Sequence, residues 1–175
     1  MPVLAPFHTS PAASGVGAFE LSWELFGELC RALAVRVSQE YRPDLVIGLA
    51  TAGVMPAATV ATMLQVDFEA MKVTRRERGG RVRSRPAVLS PTPVSARGRR
   101  VLIVDEITTS GDTLRLALAA VREVGPAEVR TATSFVRSGG YRPDYHALET
   151  DALIVFPWDR QVIDGHELVT APIYA

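Results

Sequence analysis

Hydrophobic residues along this chain fall into alternating patterns of two kinds. Leu25, Phe26, Leu29, Cys30, Leu33 and Val37 recur at spacings of three and four, with Glu24, Glu28, Arg31 and Arg36 between them. That period predicts an amphipathic helix over residues 22–41, stopped before Pro43. Short apolar runs follow, and they read as strands at 45–47, 66–73, 100–104, 128–136 and 152–156. Between them lie the small-residue apolar run 54–64, in which Pro56 is tolerable in the first helical turn, and a helix at 113–124 closed by Gly125-Pro126. Strands alternating with helices imply an α/β fold, a mostly parallel twisted sheet with helices on both faces and right-handed crossovers. Ligands on such sheets sit beyond the carboxyl ends of the strands, which directs attention to residues 50–53 and 105–113.

Composition narrows the class. A chain of 175 residues with 47% apolar and 22% charged residues is globular. No apolar run approaches the roughly 18 residues a membrane helix needs. Residues 1–18 hold Pro2, Pro6, Pro11, Gly15 and Gly17 without an apolar period and are expected to form an extended arm, with residues 19–175 as one domain. The start lacks the features of a secretory signal and Cys30 is the lone cysteine, so cytoplasmic residence is the expectation. A formal charge of zero argues against general nucleic-acid binding. It conceals an asymmetry: between residues 75 and 100 nine arginines face one acid, Glu77. Gly79-Gly80 and three prolines make that stretch a mobile loop or a ribbon rather than a helix. With no aromatic residue between Arg75 and Arg100 to stack on bases, a nucleic-acid ribbon is disfavoured. His8, His146 and His166 show no metal-ligand spacing.

The segment Val-Leu-Ile-Val-Asp-Glu-Ile-Thr-Thr-Ser-Gly-Asp-Thr at 101–113 carries the most chemistry. An apolar strand delivers Asp105 and Glu106 to the sheet edge, and two carboxylates there can accept hydrogen bonds from vicinal hydroxyls of one sugar. Thr108, Thr109, Ser110 and Thr113 offer hydroxyls. Gly111 permits close backbone approach, and the following helix presents free N–H groups and a positive dipole end. Phosphate plus diol specifies a ribose phosphate. Simple helix capping by Asp112 or Ser110 would need neither two acids nor four hydroxyls, and no Gly-x-x-x-x-Gly-Lys-Ser/Thr is present.

These residues resemble the signature of the type I phosphoribosyltransferases, and the C-terminal quarter is similar to that of the bacterial xanthine-guanine and hypoxanthine enzymes. The resemblance spans about residues 40–160. It implies a single domain with a small hood region, magnesium as cofactor, phosphoribosyl pyrophosphate and a purine base as ligands, and a homodimer. Asp105 and Glu106 would hold the ribose hydroxyls, partly through magnesium, and Thr108, Thr109, Ser110, Gly111, Asp112 and Thr113 the 5-phosphate. Ala50, Thr51, Ala52 and Gly53 would form the pyrophosphate loop, where family members often hold a non-proline cis peptide, with Lys72 assisting. Residues 75–98 would form a lid that excludes water, and 137–165 the base-recognition region. Within that region Arg137 would donate to a purine oxo group, Leu153 supply an apolar wall and Ile154 read the base edge, with Trp158 and Asp159 in the adjoining Phe-Pro-Trp-Asp. The chain departs from the family at Thr51, where Arg or Lys is common, at Asp112, often Gly, and at Leu153, where an aromatic ring is usual. A catalytically weak or inactive binding module of the same fold that senses the phosphoribosyl donor or a nucleotide is the competing expectation.

Overall fold

A computed structural model of the chain describes residues 18–76 and 82–171. It divides into two compact units, a larger one formed by Leu29–Thr150 and a smaller one formed by Met1–Glu28 with Asp151–Ala175. Among the described residues no helix is long and apolar enough to cross a membrane.

The elements of the larger unit follow from local sequence. Helix α1 (Trp23–Glu40), within which the division falls, buries Cys30, Leu33, Ala34 and Val37, the apolar stripe read from its period. Strand β2 (Leu45–Ala50) feeds α2 (Val54–Leu64) through a short turn. The small residues of α2 have a purpose, because a Cβ added to Gly48 would fall 2.8 Å from the Ala57 Cβ and 3.1 Å from the Val54 Cα. Only small side chains let helix and strand approach so closely. Strand β3 (Asp67–Arg76) and β4 (Val82–Val88) follow, then β5 (Arg100–Thr108), α3 (Asp112–Val124), β6 (Glu128–Val136) and β7 (Tyr145–Glu149). Gly125, at φ 84°, ends α3 in the left-handed region that favours glycine.

Among the described residues the strands of this sheet run in the order β4-β3-β2-β5-β6-β7. All pairs are parallel except β3 with β4. Leu45, Ile47, Leu49, Met71, Val73, Val101 and Ile103 form one core layer with Leu114, Ala117 and Val121 of α3. Alternate residues point the other way, and there Gly48 lies under α2. Burying a leucine such as Leu114 fully contributes about 1.5–3 kcal/mol, so this layer fixes α3, and with it the turn that precedes α3, on the sheet. From β2 the chain crosses to β3 on one side, whereas from β5 it crosses to β6 on the other. The connections after β2 and β5 therefore diverge and leave a crevice beyond the carboxyl ends of those strands.

In the smaller unit β1 (Ala18–Glu20) pairs in parallel with β8 (Leu153–Val155), and β9 (Gln161–Asp164) forms a hairpin with β10 (Glu167–Thr170).

Two expectations change, and of the two forms left open for the arginine-rich stretch one is seen. Of the run 152–156 only residues 153–155 form a strand, and it joins β1 and not the main sheet, whose last position is taken by β7. Asp105 and Glu106 do not stand where β5 ends, since the strand runs on to Thr108. Within the arginine-rich stretch, residues 82–88 take the ribbon form, with Pro86 tolerated because β4 is an edge strand. The arm expected at 1–18, apart from Ala18, and the centre of the expected lid, 77–81, lie outside the described residues.

Candidate functional site

The crevice is built by three backbone segments. From β2 come Ala50, Thr51, Ala52 and Gly53, with a cis peptide between Ala50 and Thr51. From β5 come the acid pair and the turn into α3. From β3 comes Lys72, whose Cα pairs in register with Ala50, so its exposed side chain stems from the strand position beside the first loop.

The first two segments touch at Gly53. A Cβ there would lie 2.6 Å from the Asp105 Oδ1, 2.7 Å from the Leu49 carbonyl oxygen and 2.9 Å from the Asp105 Cα. Glycine at 53 is thus what allows the first loop to lie against the acid pair. Asp105 is only 8% exposed, and its Oδ1 accepts a hydrogen bond from the Glu106 N–H at 3.0 Å. Burial pushes its carboxyl well above the usual carboxylate range, and the Glu106 side chain beside it pushes the same way. An electropositive ligand next to Asp105 would restore its ionised form. Glu106 is partly exposed.

Beyond the pair, residues 107–114 with Arg75 and Asp105 line a cavity of about 200 Å³. Thr108 is buried, Thr109 and Ser110 are exposed, and Asp112 and Thr113 are half-buried at the start of α3. Gly111 takes φ 77°, and its missing side chain is required twice over. A Cβ would fall 2.3 Å from the Tyr141 Cγ, and the conformation itself is left-handed. Tyr141 also donates its backbone N–H to the Thr109 carbonyl at 2.9 Å. Its ring lies 4.5 Å beneath the Arg115 guanidinium, which in turn donates to the Ser110 carbonyl at 2.9 Å. Tyr141 and Arg115 thus brace the turn from behind; sequence reasoning missed both, although Arg115 stands at helical spacing from Asp112. The Asp112 carboxylate is paired, with the Arg75 Nη2 at 2.5 Å and the Arg115 Nη1 at 3.4 Å.

The residues expected to read a base are divided between the units. Arg137 follows β6 in the larger unit, and its backbone N–H donates to the Thr108 carbonyl at 3.2 Å. Leu153, 41% exposed, buried Ile154, Trp158 and exposed Asp159 belong to the smaller unit. Trp158 is stacked on Phe156 with centroids 4.8 Å apart and meets Phe26 edge-on at 5.1 Å, so its indole is a packing element of that unit. Among the described residues no group of three or more His, Cys, Asp or Glu side chains could hold a metal ion.

The family of phosphoribosyl transferase domains matches residues 21–167. The chain belongs to the type I phosphoribosyltransferase family. A xanthine-guanine phosphoribosyltransferase of Nitratidesulfovibrio vulgaris is 30% identical to it over 159 residues, covering 88% of this chain and 92% of that one. An orotate phosphoribosyltransferase of Mesorhizobium japonicum is 37% identical over 114 residues, covering 64% of this chain and 54% of its own. Among solved structures, the purine phosphoribosyltransferase of Pyrococcus horikoshii matches with a TM-score of 0.71 and 27% identity, covering 83% of this chain and 96% of that one. This phosphoribosyltransferase is accordingly an enzyme of the glycosyltransferase class.

Proposed function

We propose that the enzyme transfers the 5-phosphoribosyl group of phosphoribosyl pyrophosphate to a purine base and releases pyrophosphate, a purine-salvage reaction. The observation that carries the reading is the cavity of residues 107–114 set against an acid pair of buried Asp105 and half-buried Glu106, a hydroxyl-rich turn beside two carboxylate acceptors. The purine assignment draws support from the xanthine-guanine relative, which aligns over more of both chains than the orotate relative does.

A purine nitrogen attacks the anomeric carbon as pyrophosphate leaves, and the sugar passes through oxocarbenium character. Asp105 and Glu106 accept hydrogen bonds from the ribose hydroxyls, while the turn at 108–113 holds the 5-phosphate with its hydroxyls and N–H groups. Backbone at 50–53 and the Lys72 ammonium hold the pyrophosphate. Arg137, which follows β6, donates to an oxo group of the base. The arginines of 75–98 would close over the donor and exclude water. Two neighbouring carboxylates supply hard oxygen donors but no full protein cage, which suits a magnesium ion shared with substrate oxygens. Asp105 and Glu106 would hold it, and bound there it supplies charge neutralisation for the departing pyrophosphate. Everything else is positioning and preorganised electrostatics.

Incubation with phosphoribosyl pyrophosphate, magnesium and each purine in turn, with orotate as comparison, tests this by nucleotide formation. A 6-oxopurine nucleotide is the expected product, and Asp105→Asn should lower kcat/KM by about a hundredfold, as for removal of one charge-stabilising group. Turnover with orotate alone would refute the purine assignment. Tight donor binding without turnover would favour a sensor of the same fold, a reading to which Thr51 at the pyrophosphate loop lends some support.

A further inference from the structure

The turn into α3 carries an acid, Asp112, at a cavity expected to receive a phosphate. An unpaired carboxylate there would repel that ligand and also offset the positive end of the helix dipole. The structure places Arg75 against it, from a strand that is not a neighbour of β5 in the sheet. The pairing of β3 with β2 ends at Ala50↔Lys72, yet β3 continues to Arg76, so residues 73–76 run on past the last β2 pair. The ladder between β3 and β4 shifts register between Thr74 and Arg76, and Arg75 stands at that irregularity, where a side chain can be aimed away from the regular pleat. Its guanidinium crosses to the cavity, with Nη2 at 2.5 Å from the Asp112 Oδ2 and 3.4 Å from the Ser110 Oγ. Arg115 reaches the other carboxylate oxygen at the longer distance of 3.4 Å, while it also donates to the Ser110 carbonyl and lies over the Tyr141 ring. Arg75, with 38% of its side chain exposed, lines the cavity.

Resting on the phosphoribosyl-donor reading above, the geometry points to Arg75 as a ligand of the donor's 5-phosphate, and to Asp112 as the residue that positions it. One carboxylate between two guanidiniums leaves the cluster with a net positive charge. A phosphate in the cavity then meets an arginine already ordered by its salt bridge, and a planar guanidinium can serve carboxylate and phosphate together. On this view the acid that departs from the family pattern is half of a two-residue device and not an obstacle.

Wild type, Arg75→Met, Asp112→Asn and the double variant, titrated calorimetrically with ribose 5-phosphate and with ribose, test the assignment. KM and kcat for phosphoribosyl pyrophosphate are measured alongside. Arg75→Met should weaken ribose 5-phosphate about tenfold, the value of one charge-assisted hydrogen bond, with the loss falling on KM for the donor more than on kcat. Arg75→Lys should recover part of it. Asp112→Asn should weaken binding about threefold when Arg75 is present and tighten it when residue 75 is Met, where the carboxylate has lost its arginine and repels the phosphate, a change of sign that general damage to the turn would not produce. Unchanged ribose 5-phosphate affinity in Arg75→Met would overturn the assignment alone, as would tighter binding by Asp112→Asn with Arg75 in place. Wild-type protein that bound no ribose 5-phosphate would bring down this assignment and the donor reading together.

Discussion

Gly111→Ala puts the geometry of the turn into α3 to a direct test. At φ 77° an L-residue pays the left-handed penalty, about 1–2 kcal/mol. The new methyl would also lie 2.3 Å from the Tyr141 Cγ and 2.4 Å from its Cβ. Those atoms are at the root of the side chain, so no ring rotation carries the Cβ away and the backbone of one partner has to move. Moving Tyr141 breaks its stacking under Arg115, worth about 0.5–1 kcal/mol at a partly exposed site. The loss is therefore about 1.5–3 kcal/mol, and for a chain of this size the Tm should fall by about 3–12 °C. Displacing the turn should also weaken ribose 5-phosphate by at least about tenfold, since small misplacements of a binding loop are costly. Thermal melts and calorimetric titration of Gly111→Ala, Tyr141→Gly and the double variant check both parts. In the Tyr141→Gly background, which removes both clashing atoms, the glycine substitution at 111 should cost only its conformational share, about 1–2 kcal/mol. A Gly111→Ala protein with wild-type Tm and phosphate affinity would refute the reasoning, and so would an equal loss in both backgrounds.

Three further outcomes are expected. The buried Tyr41 hydroxyl lies 3.0 Å from the Val101 carbonyl and 3.3 Å from that of Glu128, and its single proton serves one of them at a time. Tyr41→Phe should cost about 1–1.5 kcal/mol, a Tm loss of about 2–6 °C, and a melt indistinguishable from wild type would show the bond to be idle. Burial, then the Arg36 and Arg142 charges, lower the His146 pKa, so its contribution to stability is present above the unfolded value of about 6.5 and is lost as pH falls toward the lower folded value. His146→Gln should flatten the fall in Tm between about pH 7 and pH 5, and an unaltered slope would contradict that assignment. Thr51 is exposed on the pyrophosphate loop, and Thr51→Arg should raise kcat/KM for the donor by about tenfold by adding positive charge; no gain would count against the role given to that loop.

The central layer of the fold was legible because its signals are local. A 3.6-residue period marks α1, glycine closes α3, and an apolar run into two acids marks β5. What escaped depends on contacts distant in sequence. Residues 153–155, within the run 152–156, form the expected strand, but nothing within a strand's own residues says which sheet it joins, and pairing with β1 decided it. β7 is short and lies at the sheet edge, with only Tyr145 buried, His146 and Ala147 half-buried and Leu148 and Glu149 exposed, a weak pattern that neighbours resolve and composition does not. The packing of Trp158 against Phe26 likewise spans more than a hundred residues of chain.

The same division runs through the site. Every element of the turn at 108–113 could be assigned from its own residues, since hydroxyls, glycine and a helix start act within a few positions of one another. Asp112 could not, because the sign of its effect depends on its neighbours in space. Taken alone, an acid at the first turn of α3 repels a phosphate. Arg75 lies 37 residues earlier, on a strand separated from β5 by β2, and it reaches Asp112 through the overhang of β3 and the break in the β3–β4 ladder. A departure from a family pattern at one position is thus uninterpretable until its partner is known. Here the partner converts a repulsive group into one that orders a guanidinium at the cavity, and the pair is the proper unit of comparison with other members of the family.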